Sequence, residues 1–464
     1  LFLQNWHSSV YPTAPAGLIF TGDTAQNPYG KALTAAHWNV LSPRIGLVWD
    51  PKGDGRQTIR ASFSLLHDTT ELFYPERWTT NAPYVSSLTL TTGQFSDPFA
   101  NYSLGNGRFG DPFPGNVVFP VGGAYISVPP NNDVTYVMQW NLSYQRQIAN
   151  DWVLKVNYLG NAGRHIWGST DVNYGIPLPG SNAAGTNNRR LTYLANPTTG
   201  QFYGNIQQTD DGANSEYHGL HVSAEHRFAK HYSLLSNFGW SHCISSWDFA
   251  GELAGTVYQN PTNRKTGERG NCGYDHRLVF NTSLVATSPG FGSGAARLLT
   301  KDWQVTPAIN TFTGNPIQLT AGKDISQSLQ GLDRPNVVAP DQVHAPPASD
   351  PMYWFNPAAF QCAGSNAACT LFSGQFGNLG RNSVYGPGQI NIDMALTRRF
   401  PVKERWKLDL RADFFNILNH ANLGNPITSL SSGTFGQITG YYQGLNAAGG
   451  NTPRVIQMAV KLYF

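Results

Sequence analysis

Along most recognisable elements of this 464-residue chain, apolar and polar residues alternate with a period of two, and that period predicts β-strands. The last eleven residues show it plainly. Phe464, Leu462, Val460, Met458 and Ile456 form one unbroken apolar row, with Tyr463, Lys461, Ala459 and Gln457 between them. Upstream, Ile45, Leu47 and Trp49 alternate with Arg44, Gly46 and Asp50, turn at Pro51 to Gly55, and return through Ile59, Ala61, Phe63 and Leu65. A second hairpin runs through Met138, Trp140, Leu142, Tyr144 and Ile148, then Trp152, Leu154, Val156 and Tyr158. A third joins Leu220, Val222, Ala224 and Phe228 to Tyr232, Leu234, Phe238 and Trp240. Leu278, Phe280, Leu284 and Ala286 pair with a return near Trp303, Val305 and Ile309, the weakest assignment because Pro307 has no N–H to give a ladder. Ile390, Ile392, Met394, Leu396 and Phe400 then lead to Trp406, Leu408, Leu410, Ala412 and Phe414. With the closing strand the pattern predicts eleven strands.

The connections alternate too. Tight turns separate the members of each hairpin, whereas residues 1–40, 67–133, about 160–217, about 315–388 and the stretch before the last strand read as long loops rich in Gly, Pro and Asn. Turns on one side and loops on the other are what a membrane-spanning barrel produces, and a soluble sandwich has no reason to keep that rule. A ten-residue strand is about 33 Å long and, tilted by roughly 40°, projects to about 25 Å, the height of an outer-membrane apolar band. The apolar row also carries an aromatic at the short-turn end of most strands: Trp49, Trp152, Phe228, Tyr232, Phe400, Trp406 and Phe464. A membrane interface collects such side chains in a girdle. Charges that enter this row, Arg146, Arg398 and Arg454, fall near strand ends, where an outward charge costs about 0–1 kcal/mol against roughly 2–4 at mid-bilayer. The other row, with Glu225, Arg227, Asp393, Arg399, Lys407, Asp409, Arg411, Asp413 and Lys461, would line a wet lumen and pair across strands. The expected fold is an all-β, transmembrane, antiparallel up-and-down barrel. A closed bacterial barrel with both ends on one side has an even strand number, so eleven strands predict at least one more upstream.

Composition agrees with this reading. The chain has 13% charged and 12% aromatic residues, 48 Gly and 30 Pro, too aromatic for disorder. A mean hydropathy of −0.32 and the lack of any run near 18 apolar residues exclude a helical membrane protein but not a barrel. A net charge of +3 with no basic cluster gives no reason to expect nucleic acid. Cys362 with Cys369, and Cys243 with Cys272, are placed for two disulfides in an oxidising compartment. Leu1 is not a start residue, so a piece of a longer protein is expected. Of the histidines, His218, His221, His226 and His231 are close in sequence, but strand alternation sends His221 to the lumen and His226 outward and leaves His231 in the turn, so no metal site is expected. Asp409 and Asp413, with Arg411 between them, fit an ion network better than acid–base catalysis. No phosphate loop, nucleophile elbow or metalloprotease motif occurs; no enzyme activity and no cofactor are expected. Tyr74, Trp78, Tyr84, Tyr353 and Trp354 in the loops could stack on an external ligand or simply pack.

The terminal strand ending on Phe464 resembles the C-terminal insertion signal of bacterial outer-membrane barrels. Several short blocks resemble the barrel of TonB-dependent receptors of the Oar-like group: Ser42 to Pro51 (SPRIGLVWDP), Tyr144 to Gln147 with Tyr158-Leu159-Gly160, Trp240-Ser241-His242, Phe355 to Phe360 (FNPAAF), Phe376 to Asn382 with Gly386-Pro387-Gly388, and Phe415 to His420 with Gly424-Asn425-Pro426. The resemblance implies a plugged barrel of about 22 strands, of which residues 41–464 would be the C-terminal part and residues 1–40 an external loop. It places Phe464 and the short turns in the periplasm and the long loops outside the cell. It also implies a signal peptide, a carboxypeptidase-regulatory-like domain and a plug, none of which is in this sequence. The implied location is the outer membrane, and the implied partners are its lipid, the barrel assembly machinery, the TonB system through the plug, and an external ligand. Uptake of a large or scarce solute is the implied function; a structural or adhesion protein, and less readily a secreted carbohydrate-active protein, are the alternatives.

Overall fold

The computed structural model describes residues 7–20, 22–23, 36–38, 40–69, 81–82, 96, 119–127, 129, 131–178, 187–229, 231–246, 248, 258–263, 267–331, 333–345, 352–364, 369, 372–401, 406–442 and 453–464. Eleven strands follow one another in a single antiparallel path: β1 (Arg44–Trp49), β2 (Gln57–His67), β3 (Tyr136–Ala149), β4 (Trp152–Asp171), β5 (Tyr203–Ala229), β6 (Tyr232–Ser245), β7 (Leu278–Pro289), β8 (Lys301–Phe312), β9 (Gln389–Pro401), β10 (Lys407–Phe415) and β11 (Val455–Tyr463). Each pairs with its sequence neighbour. Among the described residues β1 and β11 are paired on one side only, so the sheet is an open partial barrel.

Residues directly opposite each other in an antiparallel pair share a face, so the register decides which side chains line up. One row runs Trp49, Ile59, Tyr144, Val156, Val222, Phe238, Phe280, Thr311, Ile390 across β1 to β9. Met394, Phe414 and Ile456 continue the same face across β9, β10 and β11. The apolar halves of all eleven strands therefore form one surface. That row starts at the short-turn end of β1 and finishes at the long-loop end of β9, which is the stagger that tilted strands acquire in a barrel.

This apolar surface is bare. Ile45 is 75% exposed, Val460 71% and Met458 80%, and every residue of β1 and β11 is exposed. The opposite face is polar: Asn237, Asn281, Asn310 and Asn391 stand in line across β6 to β9.

Buried apolar side chains gather instead in the long connections. Leu319, Ile325, Phe355, Phe360 and Leu379 of the β8–β9 connection pack with Leu430 and Phe435 of the β10–β11 connection. Phe360 meets Phe355 and Phe435 edge-on, at 6.3 and 5.5 Å between ring centres.

Three expectations change. The stretch at about 160–217 is not all loop, because β4 runs on to Asp171 and β5 begins at Tyr203. Its connection contains short helices α1 (Leu191–Ala195) and α2 (Pro197–Gly200), the latter capped by Asn196. The added strand lacks apolar alternation because beyond the lipid neither face has to be apolar. Within residues 67–133, Gly123–Ser127 pairs in parallel with the start of β5, and the Gly-rich β7–β8 connection holds α3 (Ala295–Thr300). Around Pro307 the β8 ladder to β7 lapses at Thr306 and Pro307 and resumes in register at Ala308, while Pro307 still stands opposite Met394 of β9. The missing N–H is thus absorbed on one edge of the strand.

Candidate functional site

The apolar face carries its aromatics in contact with one another or with the charges that interrupt it. At the short-turn end Trp152 lies 4.9 Å from the His226 ring, and His226 stacks on Tyr232 at 4.1 Å. Trp406 lies 6.0 Å from Phe464, and Trp49 stands opposite Ile59. The Phe228 side chain is outside the described residues. Arg398, whose position sets a charge on this face, lies 4.4 Å from the Phe400 ring and 5.2 Å from that of Trp303, and donates to the carbonyls of Leu298 and Leu299 at the end of α3. A cation there meets the negative end of the helix. Nothing in the sequence pattern announces α3 as its partner.

Nearer the long-loop end, Trp140 covers Gly160. A Cβ on Gly160 would meet the indole at 2.3–2.6 Å, so only glycine lets the ring lie flat on the strand. His218 shares this face, with its Nδ1 2.8 Å from the Tyr158 hydroxyl. His221 stands opposite Asn157 on the polar face. The four neighbouring histidines are therefore not brought together.

The polar face carries paired charges. Arg399 of β9 grips Asp409 of β10 through two bonds of 2.7 Å, Lys155 of β4 meets Glu225 of β5 at 3.2 Å, and Arg411 pairs with Asp413 on its own strand at 2.8 Å. Arg399 and Lys407 border a cleft of about 370 Å³ at the short-turn end.

The long connections form a cap, and disulfides tie it in two places: Cys243 to Cys272 and Cys362 to Cys369. Two buried arginines lace separate connections together. Arg334 donates to Glu268 Oε2, Gly267 O and Leu379 O, all at 2.8 Å. Arg381 reaches Asp248 at 2.9 Å, the Glu268 carbonyl, and Ser245. Asp333 is buried in the same cap. Its carboxylate accepts from the Ser326 N–H and hydroxyl at 2.6 and 2.8 Å, yet burial outweighs these bonds and pushes its pKa up to about 6.

Between the β8–β9 and β10–β11 connections the cap opens into a cavity of about 580 Å³, lined by His344, Met352, Tyr353, Trp354, Tyr385, Leu423 and Ile438. Trp354 is fixed by its Nε1–H, which donates to the Tyr385 carbonyl at 2.7 Å. A mostly apolar, aromatic hollow of this size suits a flat or ring-shaped ligand. Tyr353 and Trp354 were legible as loop aromatics; Leu423 and Ile438 arrive from a distant connection and were not. Tyr74, Trp78 and Tyr84 lie outside the described residues.

Comparison with known proteins adds one family and several solved structures. A family model described as an outer membrane beta barrel domain matches residues 3–457. No curated protein matches the sequence. Among solved structures, the chain is similar to the outer membrane transporter YddB from Escherichia coli, at 9% identity and a TM-score of 0.46, over 91% of this chain and 40% of that one. It is also similar to the FrpB iron transporter from Neisseria meningitidis, at 9% identity, TM-score 0.39, 91% and 39%. The ferripyoverdine receptor of the outer membrane of Pseudomonas aeruginosa shows 8% identity, TM-score 0.40, 91% and 32%. The chain thus spans 40% or less of the length of these structures.

Proposed function

We propose, from the premise that this chain belongs to the outer membrane beta barrel domain family and resides in the bacterial outer membrane, that it is the C-terminal part of a TonB-dependent receptor barrel of the Oar-like kind, taking up a large or scarce solute. One observation carries the reading beyond the family. Eleven strands form a staggered sheet with a continuous apolar face, a charged and amide-lined opposite face, and two open edges. A barrel closed from this sheet and further strands is too wide to be filled by its own side chains, so its lumen must be either a channel or a plugged passage. The sequence blocks from Ser42 to Pro426 favour the plugged receptor. In this reading the short turns are periplasmic, the disulfide-tied cap is extracellular, and the hollow beside Trp354 is open to an external ligand. Trp49, Trp152, Phe228, Tyr232, Phe400 and Trp406 anchor the barrel at the periplasmic interface, and Ile456 to Phe464 form the signal read by the assembly machinery.

The packed core of the cap supports a second reading, a surface protein whose loops make contacts without transport. Retention of the detergent-solubilised full-length protein on the immobilised periplasmic domain of TonB from the same organism separates the two. The receptor should be retained, and should lose retention when a TonB-interacting segment ahead of a plug is deleted. A full-length protein that neither binds TonB nor carries a plug would sink the transport reading and leave the surface role.

A further inference from the structure

Asp133, His165 and Asp211 converge from three places in the chain at the long-loop end of β3, β4 and β5. The Nδ1 of His165 lies 3.5 Å from an Asp133 carboxylate oxygen and 3.8 Å from one of Asp211, and all three atoms lie within 4.8 Å of one another. We infer that these residues are a binding site for a divalent transition-metal ion, with Zn²⁺ the natural probe.

The imidazole nitrogen is already close to the spacing from each carboxylate that a metal requires. Zinc holds nitrogen and oxygen ligands at about 2.0–2.1 Å in a tetrahedron, which sets the donors about 3.3 Å apart. Shifts of a few tenths of an ångström bring His165 to that distance from both carboxylates. The charge also calls for a cation. Among the described residues, His165 is the one basic group within ion-pair distance of either carboxylate, and an imidazole supplies at most one positive charge against two negative ones. The two carboxylates, within 4.8 Å of one another at their ligand atoms, repel each other less when a cation is shared between them.

The backbone holds each ligand in place. β4 breaks register on both sides of Ile166, and His165, in the resulting bulge, takes a positive φ of 53°. A bulge re-aims a side chain, and this one takes the imidazole out of the ladder. The His165 carbonyl is held by the Thr135 hydroxyl at 2.6 Å, and the Asp133 carbonyl by the Trp167 Nε1–H at 2.7 Å. The Asp133 N–H donates to Asp211 Oδ2 at 2.7 Å, fixing that carboxylate. The first two bonds fix the backbone from which His165 and Asp133 project, and the third orients the Asp211 carboxylate itself, as a supporting bond to a ligand does. One nitrogen and two oxygens select a borderline ion such as zinc over calcium or magnesium, which prefer oxygen alone. Three protein donors leave coordination positions free for water or for an oxygen of an external ligand.

The inference stands apart from the transport reading, because it concerns only the three residues. The test is calorimetric titration of Zn²⁺ into the full-length protein, purified in detergent from outer membranes and stripped with chelator. The wild type should bind one more equivalent than His165→Ala, and Asp211→Asn should weaken that equivalent by about tenfold or more. Asp211→Asn keeps an acceptor for the Asp133 N–H, and heat-modifiable electrophoretic mobility checks that each variant is folded. Cu²⁺ bound to the wild type should show the electron-spin signature of one imidazole nitrogen, absent in His165→Ala. Equal stoichiometry in wild type and folded His165→Ala, or unchanged affinity in folded Asp211→Asn, would overturn the site, as would calcium displacing zinc at equal concentration.

Discussion

Asp333 shows how a single side chain in the cap makes its stability depend on pH. It is 2% exposed, and its pKa of about 6 against an ordinary 3.8 arises first from burial, with the Ser326 bonds pulling the other way and Asp324 adding repulsion. A raised pKa means that the folded cap holds the proton more tightly than the unfolded chain does. The stabilisation is full below about pH 4, where both forms are protonated, and is lost as the pH rises through about 6. The difference from the ordinary value corresponds to about 3 kcal/mol against the ionised form. Amide-exchange protection of residues 319–337, corrected for intrinsic exchange, should therefore be higher at pH 4.5 than at pH 7. Asp333→Asn, which removes the charge, should flatten that dependence and protect the segment better than wild type at pH 7. Wild-type protection that does not vary with pH would contradict this account.

Among the elements, the membrane strands were legible and the cap was not, for one physical reason. A strand between lipid and water must alternate, so Ile45 to Trp49, Met138 to Ile148 and Ile456 to Phe464 announce both their conformation and the face each residue takes. The extensions of β4 and β5, including Asn161 and Gln208, lie where both faces meet water or cap, and no period betrays them. The cap core joins Leu319, Phe360 and Phe435 across more than a hundred residues, a proximity that local pattern does not encode. The Asp133, His165 and Asp211 cluster escaped for the same reason: its members are far apart in sequence, and the bulge that aims His165 is not visible in the residue types. The cap connections depend on their arginines. Arg334 and Glu268 have side chains only 5% and 2% exposed, and removing one partner of a buried pair costs roughly 3–5 kcal/mol because the other charge is stranded. Arg334→Met should release residues 258–272 from the β8–β9 connection, seen as faster amide exchange there with β3 to β6 unchanged. Adding Glu268→Gln should restore part of the protection. Equal exchange in wild type and Arg334→Met would mean that the apolar core alone holds the connections.

At the scale of the whole molecule, the two ends of the sheet differ, and the proposed function turns that difference into a direction in the membrane. One end has tight turns such as residues 50–56 and the aromatic pair Trp406 and Phe464; the other has the disulfide-tied cap with its own core. Bacterial outer-membrane barrels keep short turns on the periplasmic side and longer loops outside, so the proposed reading puts the tight turns inside and the large connections outside. Two single cysteines read this out. Lys52 is exposed in the β1–β2 turn, and Gly433 is exposed in the β10–β11 connection with nothing within 4 Å of where its Cβ would stand. In intact cells making the full-length protein, a membrane-impermeant maleimide should label Gly433→Cys and leave Lys52→Cys unlabelled until the outer membrane is permeabilised. The reverse pattern would invert the barrel and put the cavity beside Trp354 in the periplasm, out of reach of an external ligand. Labelling of both in intact cells would mean that the sheet does not separate two compartments, and its bare apolar face would then need a cover other than lipid.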